Sequence, residues 1–287
     1  MKKIALLATA LFLSSCAIDN TTTPDKKHLS AADKQQLINI TQSLPAEHQA
    51  RYVARNPVET LEFFGIRPGD VVLEALPGDG WYSKILMPYL GEKGRLIGVD
   101  YSLSMWPEFG GFATPEFIKK REQWPAQWRT DAKRWGSAQV DAYTFADLPA
   151  DLTGQVDAVL FIRALHNLAR FDAKGQYLQQ ALAETYRVLK PNGTVGVVQH
   201  AMSESKPDAW ADGSRGYLKE SDIVSAMLKA GFELVGSSDI NKNPKDNPQE
   251  NDNVWRLPPN LNGTDAQKQQ NQLIGESNRV TLLFRKK

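Results

Sequence analysis

The chain has 287 residues, with 34 Lys and Arg against 33 Asp and Glu and a formal net charge of +1. Neither sign is gathered into a patch, which excludes the electrostatic footprint of a nucleic-acid-binding protein. Cys16 is the one cysteine, so the folded part has neither a disulfide nor a thiol nucleophile. No Cys or closely spaced His/Asp group offers zinc a ligand set either.

In chain order, Lys2 and Lys3 precede an apolar run over residues 4–13. Spanning a bilayer takes a helix of about 20 residues, so this run reads as a signal peptide rather than a transmembrane segment. It ends in Leu13-Ser14-Ser15-Cys16, which resembles the lipobox of bacterial lipoproteins. The resemblance implies a signal peptide over 1–16, lipidation of the Cys16 thiol and cleavage before it. Ala17, not an aspartate, implies sorting to the periplasmic face of the outer membrane. A protein without disulfides or spare thiols suits that oxidising compartment. Residues 17–34 are polar and read as a flexible tether, with the folded domain over 35–287. A helical signal overlaps the end of the tether. Ser30 is a candidate N-cap for a helix from Ala31, with Leu37, Ile38 and Ile40 on one side.

The pattern then changes. A short apolar run over 71–75 lies between the turn Arg67-Pro68-Gly69-Asp70 and the loop Pro77-Gly78-Asp79-Gly80, and reads as a buried strand. A helix is expected over 81–90, closed by Gly91, and a second strand over 95–99 ending in Asp100. Further strands are expected over 142–145, 156–162, 194–199, 232–237 and 279–284. Helices are expected over 173–189 and 219–230. Strands alternating with helices predict an α/β fold, an open and mostly parallel sheet with helices on both faces. Two stretches break the alternation. Residues 102–133 are aromatic-rich and read as irregular, with Trp106, Phe109, Phe112, Trp124 and Trp128 forming either a pocket wall or a small apolar subcluster. Residues 241–274 are rich in Asn, Pro and Gln and read as a lid or a disordered excursion.

In such a sheet a ligand sits beyond the C-terminal strand ends. Gly78 and Gly80 let the first loop turn sharply and approach a ligand, and the helix that follows presents free N–H groups. Asp100, about 20 residues on, is placed to accept ribose hydroxyls. A dinucleotide site would show G-x-G-x-x-G, but Ser83 stands where the third glycine belongs, so a nicotinamide-linked oxidoreductase is disfavoured. Glu74-x-x-x-Gly78-x-Gly80 instead resembles motif I of class I S-adenosylmethionine-dependent methyltransferases, with Leu76 where a glycine commonly stands. The lead-in Glu184-x-x-Arg187-Val188-Leu189-Lys190-Pro191-Asn192-Gly193 adds to the resemblance. It implies a Rossmann-like class I methyltransferase fold with S-adenosylmethionine as cofactor. By the same resemblance Glu74, Pro77, Gly78, Gly80 and Asp100 hold the cofactor, and Phe145 touches its adenine.

Several rarer segments are similar to a family of exported, largely uncharacterised predicted methyltransferases of Gram-negative bacteria. They include Arg163-Ala164-Leu165-His166-Asn167, Val198-Gln199-His200, Val254-Trp255-Arg256-Leu257-Pro258-Pro259 and the segment from Ile274 to Thr281. His166 and His200 follow and end adjacent strands and are candidate catalytic bases, against the alternative of two structural histidines. Tyr217, Asn241, Asn243 and Asp246 are candidate substrate contacts. The function implied is methyl transfer to a small-molecule nucleophile in the cell envelope, with the membrane met only through the anchor. The rival is an envelope binding protein that kept the fold and the nucleotide pocket.

Overall fold

The structure, a computed structural model, describes residues 29–287. The Cys16 lipidation site, the signal peptide over 1–16 and most of the expected tether lie outside the described residues. The tether's last residues are helical. Ser30 accepts the Asp33 N–H and caps α1 (Ala31–Ser43), so the fold begins before residue 35. Three short helices follow, α2 (Ala46–Gln49), α3 (Tyr52–Arg55) and α4 (Pro57–Phe64).

The sheet comprises β1 (Val71–Ala75), β2 (Arg95–Asp100), β3 (Gln139–Thr144), β4 (Val156–Ile162), β5 (Leu189–Met202), β6 (Leu218–Lys219), β7 (Phe232–Ser238) and β8 (Arg279–Lys286). Its order is β3-β2-β1-β4-β5-β8-β7, with β6 paired to β5. β8 runs antiparallel to both of its neighbours, and the other pairings are parallel. The expected mostly parallel open sheet is present. β1 lies at its centre, and successive strands leave it in both directions, β2 and β3 one way, β4 and β5 the other.

Strand side chains alternate between faces. Val72 and Leu160 turn to one face, where α1, α4, α5 (Ser83–Leu90), α6 (Pro115–Glu122) and α7 (Trp124–Ala132) gather; Leu37, Phe64, Ile85 and Trp128 join that core. Leu73, Val159 and Val195 turn to the other, packing on α8 (Leu165–Arg170), α10 (Tyr177–Val188) and α11 (Glu220–Lys229), while α9 (Asp172–Gly175) links α8 to α10. The helix expected over 173–189 is broken there, because Gln176 takes a left-handed φ of 56° between α9 and α10.

Both stretches that broke the alternation are ordered. Residues 102–133 are largely helical, with a 3-10 turn over Leu103–Phe109 before α6 and α7. Trp128 lies so close to Gly98 that a Cβ there would come within 2.9 Å of its ring. This stretch therefore divides between the two cores, Trp106 and Phe109 packing against one and Trp124 and Trp128 against the other. Residues 241–274 carry a 3-10 turn over Val254–Arg256 and end in α12 (Asp265–Ile274), which Thr264 and Gln267 close with a capping box.

Between β1 and α5, Gly78 and Gly80 both have positive φ, 55° and 72°. They differ in what surrounds them. A Cβ at Gly78 would meet nothing within 4 Å, whereas one at Gly80 would overlap the Trp135 ring. Gly80 thus serves packing, and Gly78 is the glycine that leaves the loop open. Both substitutions by alanine carry the left-handed backbone cost, so their difference isolates the overlap. Gly80→Ala is expected to destabilise by roughly 1–3 kcal/mol more than Gly78→Ala, measured as urea midpoints; equal losses would show that Trp135 moves aside freely.

Candidate functional site

A cavity of about 380 Å³ opens at the C-terminal ends of β1, β4 and β5. This is where the strand order reverses, the place an open α/β sheet offers a ligand. Of the residues expected at a site, it brings together Glu74, Pro77, Gly78, His166 and His200. Residues 254–260 cover one side through Trp255, Pro258 and Pro259, so the lid-like part of the long insertion is this short piece.

The two central strands end alike. Leu76 and Arg163, just beyond β1 and β4, both take a left-handed φ, 54° and 60°. Each donates its N–H across to the next strand, Leu76 to the Val99 carbonyl at 2.7 Å and Arg163 to the Val198 carbonyl at 2.6 Å. A left-handed conformation costs a residue with a Cβ about 1–2 kcal/mol, and such strain gathers at functional sites. Leu76 therefore keeps the backbone shape of the glycine it replaces in motif I. Beside it, the Glu74 carboxylate is buried and accepts the Ser83 hydroxyl at 2.6 Å. Burial pushes this carboxyl up to about 7, against the lowering pull of Ser83 and Arg163.

The imidazoles of His166 and His200 lie 5.8 Å apart, edge to face. Burial pushes His166 down to about 4. It pushes His200 well below its ordinary value too, helped by His166, Arg163, Arg279 and Arg55. Both rings are therefore neutral at pH 7, and their partners separate their roles. Gln199 is fixed by the backbone: its Oε1 accepts the Leu165 N–H at 3.2 Å and its Nε2 donates to the Gly216 carbonyl at 3.0 Å. The remaining amide hydrogen faces His166 Nδ1 in a long contact of 3.5 Å, which leaves the ring proton of His166 on Nε2. His200 Nδ1 instead meets the Ser277 hydroxyl at 2.5 Å. A hydroxyl can accept as well as donate, so His200 can carry its proton on Nδ1 and keep a free lone pair on Nε2.

Arginines that the sequence reading did not assign surround this pair. Glu276 receives Arg51 at 2.6 Å, Arg55 at 3.4 Å and Arg279 at 3.1 Å, and Arg163 lies close enough to act on its charge. Burial pushes the Glu276 carboxyl up, but Arg55, Arg279, Arg51 and Arg163 together hold it below its ordinary value. Arg55 also stacks on Trp81, 4.5 Å from the ring centre, and the His48 ring stacks on the same indole at 4.4 Å. A signal was present in Arg51 and Arg55, which lie four residues apart, one helical turn, but nothing local tied them to Glu276.

Seven expected site residues do not face the cavity. Gly80 packs on Trp135. Asp100 is buried and held by Arg121, whose guanidinium lies 4.7 Å over Trp106 and 5.7 Å from Trp124. Phe145 is in the core, stacked parallel on Phe161. The four expected substrate contacts are internal ties. Tyr217 is fully buried and donates to Asp246 at 2.9 Å. Asp246 also takes Arg256 at 2.8 Å and the Asn278 N–H at 2.9 Å, and it borders a separate cavity of about 210 Å³. Asn241 donates to the Thr60 and Thr281 hydroxyls, and Asn243 to the carbonyls of Ile274 and Glu276. Asn241, Asn243 and Asp246, with Tyr217 reaching in from before β6, tie down the loop that carries Trp255. Trp106, Trp124 and Trp128 also lie outside the cavity wall.

The fold is the Rossmann-like methyltransferase fold, an open and mostly parallel sheet with helices. Residues 73–197, from β1 into β5, match the family described as methyltransferase domain. A curated relative, the ubiquinone/menaquinone biosynthesis C-methyltransferase UbiE of Hydrogenovibrio crunogenus, is 30% identical over 139 residues, 48% of this chain. The match spans about half of that relative's length, 45%. Among solved structures, the cyclase SpnF superposes with a TM-score of 0.52 at 18% identity, covering 81% of each chain. A methyltransferase of Aquifex aeolicus gives 0.46 at 17% identity, covering 72% of this chain and 92% of its own.

The buried groups make stability depend on pH in opposite senses. His166 takes a proton near 6.5 when unfolded but only near 4 when folded. Between those values the unfolded chain binds more protons, so acidification destabilises the fold, on the order of 3 kcal/mol for this group. Glu74, raised from 4.5 to about 7, protonates first in the folded state, so acidification through that window favours folding. Between pH 6.5 and 4.5 the denaturation midpoint is expected to drop less in His166→Gln than in the wild type, and more in Glu74→Gln. Equal drops in all three proteins would contradict this account.

Proposed function

We propose that this chain is an S-adenosylmethionine-dependent methyltransferase of the cell envelope, anchored through Cys16 at the periplasmic face of the outer membrane and acting on a small-molecule nucleophile. The observation that carries the reading is that Glu74, Pro77 and Gly78 open on the same cavity as two neutral imidazoles. The cofactor supplies a methyl group on a sulfonium centre. The residues present fit its methionine half. Glu74 offers a carboxylate for the amino group, and the space over Gly78 lets the backbone come close. Asp100 is the acceptor for the ribose hydroxyls once Arg121 releases it. His200 Nε2 takes the proton of the nucleophile as it attacks, with Ser277 accepting from Nδ1 and fixing the ring. The Nε2–H of His166 orients the nucleophile by donating to it. Holding the reactants in line supplies the larger part of such a rate enhancement.

A second reading, a non-catalytic envelope binding protein on the same fold, is favoured by one observation. Asp100 is occupied by Arg121 and Phe145 is packed away, so the half of the pocket expected to hold adenosine is closed. SpnF, named a cyclase, also illustrates that a shared fold leaves the reaction open.

Calorimetry with S-adenosylmethionine, S-adenosylhomocysteine and NAD separates the readings. Micromolar binding of the first two and none of NAD is expected. Asp100→Ala should weaken it at least tenfold, about 1.4 kcal/mol, and Arg121→Gln, which frees Asp100, should tighten it. A folded protein that binds neither adenosyl compound ends the enzyme reading. For the anchor, cells given labelled palmitate are expected to label the wild type and not Cys16→Ala; label in both would place the lipid elsewhere.

A further inference from the structure

The charge of the cavity bears on what the methyl acceptor is. Arg51, Arg55 and Arg163 line it, and Arg279 backs them against Glu276. Two of these guanidinium groups hold a buried nitrogen without a hydrogen-bond partner, Nη1 of Arg55 and Nε of Arg163, while Arg51 turns its Nη2 to Glu276. Among the described residues Arg163 forms no ion pair, although it sits between Glu74 and the imidazoles at the strained end of β4. Set against the four arginines are two inner carboxylates, Glu276 and Glu74. Two positive charges remain when Glu74 is ionised, and three when burial keeps it protonated. Lys84 and Asp79 at the cavity wall offset each other, and the two histidines are neutral.

An uncompensated charge withdrawn from water costs several kcal/mol, and a buried N–H without a partner costs about 1–3 kcal/mol. An anion with several acceptor oxygens relieves both, and the planar guanidinium fork suits carboxylate and phosphate. The donor cannot provide that balance. Its carboxylate is offset by its ammonium group, and its sulfonium adds one further positive charge. A cationic donor in a cationic cavity calls for a negative partner.

We propose that the acceptor is a small anion whose carboxylate or phosphate group is held by Arg163, Arg55 and Arg51 while its nucleophilic atom faces His200. This rests on the methyl-transfer reading above. In the reaction the methyl carbon leaves the sulfonium sulfur with the C–S bonding pair returning to sulfur. The nucleophile's lone pair forms the new bond to the methyl carbon, and the nucleophile's proton goes to His200 Nε2. The arginines keep their protons throughout. Trp81 and Trp255 wall the same space and limit the acceptor to a compact molecule.

The test uses the full-length protein and inorganic phosphate as the probe, with binding followed by calorimetry and by ³¹P line broadening, with and without saturating S-adenosylhomocysteine. Phosphate is expected to bind at millimolar concentration or tighter and to remain bound when S-adenosylhomocysteine is present. Arg163→Gln should weaken phosphate at least tenfold, and by a larger factor than it weakens S-adenosylhomocysteine. Arg51→Gln, with folding checked by its denaturation midpoint, should weaken phosphate severalfold; Arg163→Lys should restore part of the loss. Absence of phosphate binding, or equal affinity in the wild type and both glutamine variants, overturns the proposal. So does displacement of phosphate by S-adenosylhomocysteine, which would assign the arginines to the donor's own carboxylate. Arginine-dependent phosphate binding in a protein that does not bind S-adenosylhomocysteine would uphold the anion site and end the methyl-transfer reading.

Discussion

The structure depends most on one carboxylate. Glu276 is shared by Arg51, Arg55 and Arg279, and these residues come from opposite ends of the described chain. Arg51 and Arg55 belong to the helices before the sheet, while Arg279 opens the antiparallel strand β8. Around this pair of ends the backbone is tied further: Arg279 donates to the Ala54 carbonyl at 2.6 Å, Asn56 to Ile240 at 2.7 Å and Asn241 to Thr60 at 3.0 Å. Removing Glu276 would leave three buried guanidinium groups facing one another. It lines the cavity itself and ties the N-terminal helices to the start of β8.

Burial and the neighbouring arginines explain the state of the imidazoles. A ring surrounded by arginines and withdrawn from water holds no proton at neutral pH, so His166 and His200 are available as hydrogen-bonding groups rather than cations. Gln199 and Ser277 then decide which nitrogen faces the ligand. Positive field and neutral bases coexist here because the charge is carried by groups that cannot release it. Arginine is suited to that role: even where burial brings Arg163 down to about 10 and Arg55 to about 9, both remain charged at pH 7.

Much of the fold was legible because it is written in short-range signals. The apolar runs over 71–75 and 156–162 correspond to β1 and β4 residue for residue, bounded by glycine, proline and polar turns. The site was legible where it coincides with strand ends, at Glu74, Gly78, His166 and His200. It was illegible where chemistry is assembled across long separations. Arg51 and Glu276 are 225 residues apart, and periodicity carries no trace of their meeting. The expected substrate contacts failed for a related reason. Asn241, Asn243 and Asp246 are polar residues in a long insertion, a pattern that suits a ligand and a self-satisfied loop equally. Only the partner of each side chain distinguishes the two. Tyr217 similarly spends its hydroxyl on Asp246.

Asp100 shows what a buried carboxylate requires of its surroundings. A carboxylate at this depth needs a donor, and burial alone raises its proton affinity while Arg121 lowers it again. Arg121 is available because α6 brings it between Trp106 and Trp124, where the indole faces support a cation. The aromatic stretch therefore serves this carboxylate indirectly. Its tryptophans do not touch the cavity, but they hold the cation that satisfies Asp100. The depth at which this carboxylate can be buried therefore rests on a single ion pair, and that pair rests on the aromatic faces beneath it.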